Sequence, residues 1–197
     1  MQPPCYVIVL ENNPLSRRAY KTMARTLKQH GWSWSVFPAV VGSGVTEESW
    51  RSVGVDILRD RGKLQHRPGA QGCWLSHFHL WSWCRESGGS MIIMEEDCLV
   101  LGPWDPYIES SSALIKLHEN RGTKVNSITG LWGRGAFAYW LTAAHADRLI
   151  CHAQQQGAQA LDKHIGDLVV DWQHWPRPLV SLNTERGPST TSPVVRR

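Results

Sequence analysis

CYVIVLENNPLSRRAYKTMARTLKQHGWSWSVFPAVV, residues 5–41, decides the fold class. CYVIVL (5–10) is a short continuous apolar run rich in β-branched residues, the pattern of a strand buried on both faces. Asn13-Pro14 follows, an N-cap residue with proline at the first helical position. Leu15, Ala19, Met23 and Leu27 recur every four residues, Arg17, Arg18, Lys21, Arg25 and Lys28 take the other faces, and His30-Gly31 closes the helix. SWSVFPAVV (33–41) reads as a second strand. Strand, helix and strand in this order make a βαβ unit, whose two strands run parallel. The expectation is an α/β, Rossmann-like domain with a mostly parallel central sheet flanked by helices.

The 197 residues suit one domain, and 42% hydrophobic with 19% charged residues excludes a disordered chain. A net charge of +4 favours anionic partners, including sugar nucleotides, but the basic residues are dispersed and no Lys/Arg block marks a nucleic-acid surface. Cys5, Cys73, Cys84, Cys98 and Cys151 are widely spaced without a CxxC pair, which reads as reduced thiols in a cytosolic protein. MQPPCYVIVLENN lacks a basic n-region, and its apolar run is too short for a signal peptide or a membrane span, so a soluble cytoplasmic protein is expected. The eleven tryptophans belong mostly in the core, yet flat apolar faces also stack on sugars, which keeps carbohydrate binding open.

Farther along, residues 42–71 are polar and Gly/Arg-containing, a long connection with a weak helical stretch around 47–53. Trp74, Phe78, Trp81 and Cys84 recur at helical spacing, so residues 72–87 read as an amphipathic helix ended by Gly88-Gly89. A strand over MIIMEEDCLV (91–100), a helix near 108–119, a strand at 136–141 and a helix capped by Thr142 and running through Gln156 follow. From Pro176 the chain looks extended or disordered; the domain is expected over 1–180, with 181–197 as a tail.

MIIMEEDCLV poses a chemical problem, because apolar residues run straight into Glu95, Glu96 and Asp97. Unpaired carboxylates in a buried strand cost several kcal/mol each. At the carboxyl end of a strand in an open α/β sheet they instead face the ligand crevice. Glu95 and Asp97 share one side of a strand and Glu96 the other, although a turn there lets any two converge. Convergent carboxylates suit a hard divalent cation, Mg²⁺ or Mn²⁺, completed by phosphate oxygens. The other reading is a strand end opening into solvent with Arg or Lys partners.

The run GAQGCWLSHFHLWSWCRESGGSMIIMEEDCLV (69–100) resembles the signature block of glycosyltransferase family 25, with Gly72, Cys73, Ser76, His77, Gly88 and Ile93-Met94-Glu95-Glu96-Asp97 carrying the likeness. That family comprises bacterial lipooligosaccharide galactosyltransferases, acting in lipopolysaccharide biosynthesis, and related collagen galactosyltransferase domains. YVIVLENNPLSRRAYKTMARTL, FPAVVG (37–42), GAFAYWLTAAHADRLI (135–150), LDKHIGDLV (161–169) and PLVSLN (178–183) resemble its other blocks in order. The resemblance implies a GT-A fold, a nucleotide-sugar donor (UDP-galactose above all), a glycan or other hydroxyl acceptor, Mn²⁺ or Mg²⁺ on the acidic motif, and inversion at the anomeric carbon. It makes Asp97 the expected metal ligand, with Glu95, or else Glu96, as its partner or as a contact to the donor ribose. Leu10, Glu11, Arg18, Ser76, His77, Glu95 and Glu96 become the expected donor-binding residues, and Asp162 the catalytic base with Asp167 as runner-up.

Around these, Arg17, Tyr139, Gly133 and Gly135 are further candidates near the donor, and His164 is a candidate metal or phosphate ligand. Ser76 and His77 are no hydrolase dyad, because neighbours on a helix diverge by about 100°. The chain departs from the family pattern at Val9 (usually Asn), Val41 (usually Asp) and Glu96 (usually Asp), which bears on donor identity. The rival readings are a non-catalytic protein of the same fold that binds sugar nucleotides or carbohydrate, and a metal-dependent nucleotidyltransferase or phosphosugar hydrolase.

Overall fold

β1 (Cys5–Val9), α1 (Pro14–Gln29) and β2 (Ser35–Pro38) form the βαβ unit, with β1 and β2 parallel from Tyr6↔Ser35 to Val9↔Pro38. The computed structural model describes residues 1–57, 64 and 66–183. Asn13 caps α1, its Oδ1 accepting from the amides of Leu15 and Ser16. The buried stripe is Ser16, Ala19, Met23 and Leu27, whereas Leu15 is exposed. Steps of four overshoot the 3.6-residue turn, so the first member of a strict four-residue series drifts off the buried face. Ser16 takes its place and its Oγ accepts from the Leu10 amide at 2.9 Å.

Four further strands complete a six-stranded sheet: β3 (Ser90–Glu95), β5 (Leu114–Lys116), β8 (Ala138–Thr142) and β9 (Trp172–His174), in the order β2-β1-β3-β8-β5-β9. β1 and β3 are parallel, as are β5 and β9; β8 alone runs against its neighbours β3 and β5. The expected α/β class with a mostly parallel sheet is thus the one observed. α3 (Pro68–Ser87) and α4 (Ala143–Gln156) cover one face, where Trp74, Trp81, Ile93, Leu141 and Leu149 pack. α1 covers the other, its Met23 and Leu27 packing over Val7, Val9, Ile92 and Met94. Alternation along β3 therefore sends Ile93 and Glu95 towards α3. Trp32, Trp50, Trp74, Trp81, Trp132 and Trp140 are buried, so most of the tryptophan excess is core. All five cysteines are free, and no helix among the described residues is long and apolar enough to cross a membrane.

Several elements differ from expectation. No helix spans 108–119: a 3₁₀ turn at Pro106–Ser110 leads into β5. Leu114, Ile115, Lys116 and Leu117 are buried in succession, the mark of a strand covered on both faces, and this outweighs helical propensity. α3 begins at Pro68, before the expected position 72, because proline fits the first helical turn. Residues 91–100 are two strands: β3 ends at Glu95, Glu96 and Asp97 make a turn, and β4 (Cys98–Val100) leaves the sheet to pair antiparallel with β10 (Val180–Leu182). β10 crosses the expected boundary at 180, so Ser181 and Leu182 belong to paired structure; of the expected tail, residues 184–197 lie outside the described residues. The connection at 42–71 contains a 3₁₀ turn (Gly42–Gly44) and α2 (Glu47–Ser52), and 58–63 and 65 also lie outside the described residues. Thr142 caps α4 and Gly157 ends it, as the sequence predicts.

Candidate active site

The carboxyl ends of β1 and β3 lie side by side, Ile8 opposite Glu95. Glu95 retains 23% side-chain exposure, while Glu96 (8%) and Asp97 (3%) are buried in the turn that follows. Glu95 and Asp97 both line a cavity of about 440 Å³, with Arg67, Cys73, Asp162 and Lys163 on its other walls. Glu96 faces away, into a smaller cleft with Leu10, Val40 and Gly69 that also touches Glu95. The period-two reading of the acids thus survives the turn: 95 and 97 share a cavity and 96 does not. The Asn183 amide, just past β10, donates to the Asp97 carbonyl at 2.8 Å and ties the turn to the C-terminal strand.

A buried chain of hydrogen bonds leads from Trp81 through Tyr139 to His77, beside Glu95. Trp81 Nε1–H can only donate, and its partner is the Tyr139 hydroxyl oxygen at 2.8 Å. The tyrosine proton then goes to His77 Nδ1 at 2.7 Å, which leaves the imidazole proton on Nε2, 3.6 Å from Glu95 Oε1. Cys73 Sγ stands 3.6 Å from the same oxygen. Burial, seconded by the negative charge of Glu95, pushes the Cys73 thiol up, so it stays protonated and faces the carboxylate as a weak donor. Among the described residues Cys73, His77 and Glu95 form one compact group of metal-capable side chains, their ligand atoms within 4.8 Å. His77 Nε2, 3.6 Å from the carboxylate, forms no hydrogen bond among the described residues. Sequence reasoning included His77 but left Cys73 out of the site; the signal was their i, i+4 spacing on α3.

Asp162 lies in the short helix α5 (Leu161–His164), half-buried on the cavity wall. Burial raises its carboxyl above the usual range, and the Lys116 ammonium pulls it back down. Lys116 is fully buried; its Nζ donates to the carbonyls of Gly133 (2.6 Å) and Gly135 (3.0 Å) and lies 4.9 Å from the Trp172 ring centroid. Desolvation lowers its pKa to about 8. Lys116, Arg67 and Lys163 were all missed from sequence, since a lysine in ALIKLH reads as one polar position on a helix.

Not every expected residue reaches this cavity. Ser76 is buried and committed to the backbone, donating to the Gly72 carbonyl (2.7 Å) and accepting from the Val40 amide (2.9 Å). Glu11, Arg17 and Arg18 line a separate open depression at the start of α1. Tyr139 is buried behind His77 instead of facing the cavity, whereas Gly135 lines it. His164 is a core residue: its Nε2 pairs with the Leu149 carbonyl at 3.0 Å, its ring stacks on Trp81, and burial lowers its pKa to about 4. Asp167 is exposed and holds the Leu131 amide through Oδ1 at 2.8 Å. Val9 is buried in the core beneath α1, and Val41 is exposed before a 3₁₀ turn.

Among solved structures, the chain is similar to that of a provisionally assigned glucose-1-phosphate thymidylyltransferase from Bacillus anthracis crystallised with sucrose, at 7% identity over 87% of each chain and a TM-score of 0.43. That likeness is too distant for an argument from one protein to the other. No curated protein sequence matches the chain. The sequence profile of glycosyltransferase family 25 (LPS biosynthesis protein) matches residues 2–119, from the strand before α1 past the acidic turn. With more than half of its length so matched, and the acids of the signature block gathered at one sheet edge, the chain belongs to glycosyltransferase family 25.

Proposed function

We propose that the protein is a metal-dependent, inverting hexosyltransferase that moves galactose from UDP-galactose to a glycan or other hydroxyl acceptor. The observation that carries this reading is the meeting of Glu95, Asp97 and Asp162 in one cavity with Arg67 and Lys163. Two carboxylates separated by a single residue are a hard, oxygen-only donor set, suited to Mn²⁺ or Mg²⁺ shared with a diphosphate. Asp97 and Glu95 would hold the ion, which supplies Lewis-acid stabilisation to the departing diphosphate. Arg67 and Lys163 add fixed positive charge for the same oxygens. Asp162 accepts the proton of the acceptor hydroxyl as its oxygen bonds to the anomeric carbon and UDP departs from the opposite face. Burial raises the Asp162 pKa, which brings this base nearer to neutrality than an ordinary carboxylate.

A screen of UDP-sugars for hydrolysis and transfer, with and without Mn²⁺, tests the reading. Asp97→Asn is expected to cut metal-dependent donor binding roughly tenfold or more while the fold stays nearly as stable, because a carboxylate balanced only by an ion does not help the ion-free protein. Asp162→Asn is expected to leave donor binding intact and lower transfer by about 10²–10⁴-fold. Donor binding without turnover for any sugar would refute the transferase reading in favour of a binding protein, and pyrophosphate release from nucleoside triphosphates would point to nucleotidyl transfer.

A further inference from the structure

Asp162 borders two cavities. One is the 440 Å³ space that holds Glu95 and Asp97; the other, an open depression of about 710 Å³, lies between the loop after β5 and a β-hairpin, β6 (Thr123–Asn126) with β7 (Gly130–Gly133). Arg121, Lys124 and Arg134 line this second cavity with Asn120 and Trp132, against a single further acid, Glu119. All three cations are exposed, and none of them forms an ion pair among the described residues.

Their backbone is fixed. Asn120 Oδ1 accepts from the Gly122 amide at 2.9 Å, the Arg134 amide donates to the Gly122 carbonyl at 3.1 Å, and Lys124 lies opposite Trp132 in the hairpin. Lys116 holds the carbonyls of Gly133 and Gly135 on either side of Arg134. A neutral sugar offers these cations nothing to neutralise. A carboxylate or phosphate offers charge-assisted hydrogen bonds, bidentate with arginine.

We infer that the cavity beyond Asp162 is the acceptor subsite and that it takes a sugar carrying a carboxylate or a phosphate. The assignment rests on the transfer reading through Asp162, since a base that deprotonates the acceptor must touch it from the side away from the donor.

Ligand-observed NMR titration of the 197-residue chain, saturated with UDP, tests this with glucuronate, glucose 6-phosphate, uncharged methyl glucoside and inorganic phosphate as probes. At least one charged sugar is expected to bind at least tenfold more tightly than methyl glucoside, the carboxylate and phosphate arms showing which group is preferred. Arg121→Ala/Arg134→Ala is expected to remove that advantage, and the milder Arg134→Gln to reduce it, with unchanged near-UV circular dichroism. Equal binding of charged and neutral sugars, binding of the charged sugar only when UDP is left out, or inorganic phosphate binding as well as glucose 6-phosphate would each overturn the inference. Hydrolysis of UDP-galactose and other UDP-sugars by the same protein in Mn²⁺, with no UDP added, separates the two readings. Hydrolysis without charge preference refutes the anionic subsite alone, and charge preference without hydrolysis of any UDP-sugar refutes the transfer reading alone.

Discussion

Tyr139 holds two groups at once: its hydroxyl receives the Trp81 N–H and gives its proton to His77, and through His77 it governs what Glu95 sees. Tyr139→Phe keeps the ring but strands a buried indole N–H and a buried imidazole nitrogen, so a loss of about 2 kcal/mol is expected in urea unfolding. Donor KM should rise more than kcat falls, because His77 is then free to adopt the other tautomer and turn a lone pair towards Glu95; unchanged donor KM would count against this chain of bonds. None of it was legible in AFAYWL, since the partners lie 58 and 62 residues away. Lys116 was equally hidden, and it has a pH signature. Its folded pKa is depressed to about 8 from 10.5, so between those values the unfolded chain binds more protons and the group's contribution rises with pH. That contribution is present in full above about 10.5 and is lost as pH falls through about 8. Relative to Lys116→Met, the wild type should therefore gain about 3 kcal/mol of stability between pH 7 and pH 10.5, read from denaturant unfolding of both proteins at each pH.

Elements announced by local chemistry were legible. The Asn13-Pro14 start of α1, the Thr142 and Gly157 ends of α4, and the buried runs of β1 and β3 all stand where the sequence places them, because caps and periodicity are short-range signals. β5 was not, since its burial on both faces depends on neighbours supplied by the whole fold. The signature block was legible as a unit but not in its division of labour. Gly72 and Ser76 turn out to weld α3 to the loop after β2: a Cβ on Gly72 would clash with the Val40 carbonyl oxygen and lie 2.8 Å from the Gly42 amide nitrogen. Ser76 adds its two backbone hydrogen bonds to the same junction. Gly72→Ala must push that loop away, and a loss of about 1–3 kcal/mol is expected, with weaker donor binding because Val40 lines the cleft beside Glu95 and Glu96. Gly44→Ala, in the same loop with open space around it, is the control that should change neither the unfolding midpoint nor UDP affinity.

At the scale of the molecule, the site is assembled from distant parts of the chain. Residues 2–119, the span that matches the family, supply Arg67, Cys73, Glu95 and Asp97; Asp162, Lys163 and Leu182 complete the cavity from beyond it. The pairing of β4 with β10, Leu99 opposite Ser181, has no local sequence signal, which is why PLVSLN read as an extended tail. Once formed, that pairing carries the chain back to the acidic turn, where Leu182 walls the cavity and the Asn183 amide holds the Asp97 carbonyl. Two truncations separate this role from simple folding. A chain ending at Ser181 keeps the buried Leu179 and Val180 and loses the partly buried Leu182 and the buried Asn183; a chain ending at Asn183 is its reference. The loss of one backbone hydrogen bond, of the partial burial of Leu182 and of the Asn183 side chain predicts unfolding free energies about 1–3 kcal/mol apart. UDP affinity in Mn²⁺ should fall roughly tenfold in the shorter chain, more than its small loss of stability explains, since the proposed metal ligand Asp97 loses the bond that supports it. Equal UDP affinity in the two chains would mean that the turn holds Asp97 without help from β10.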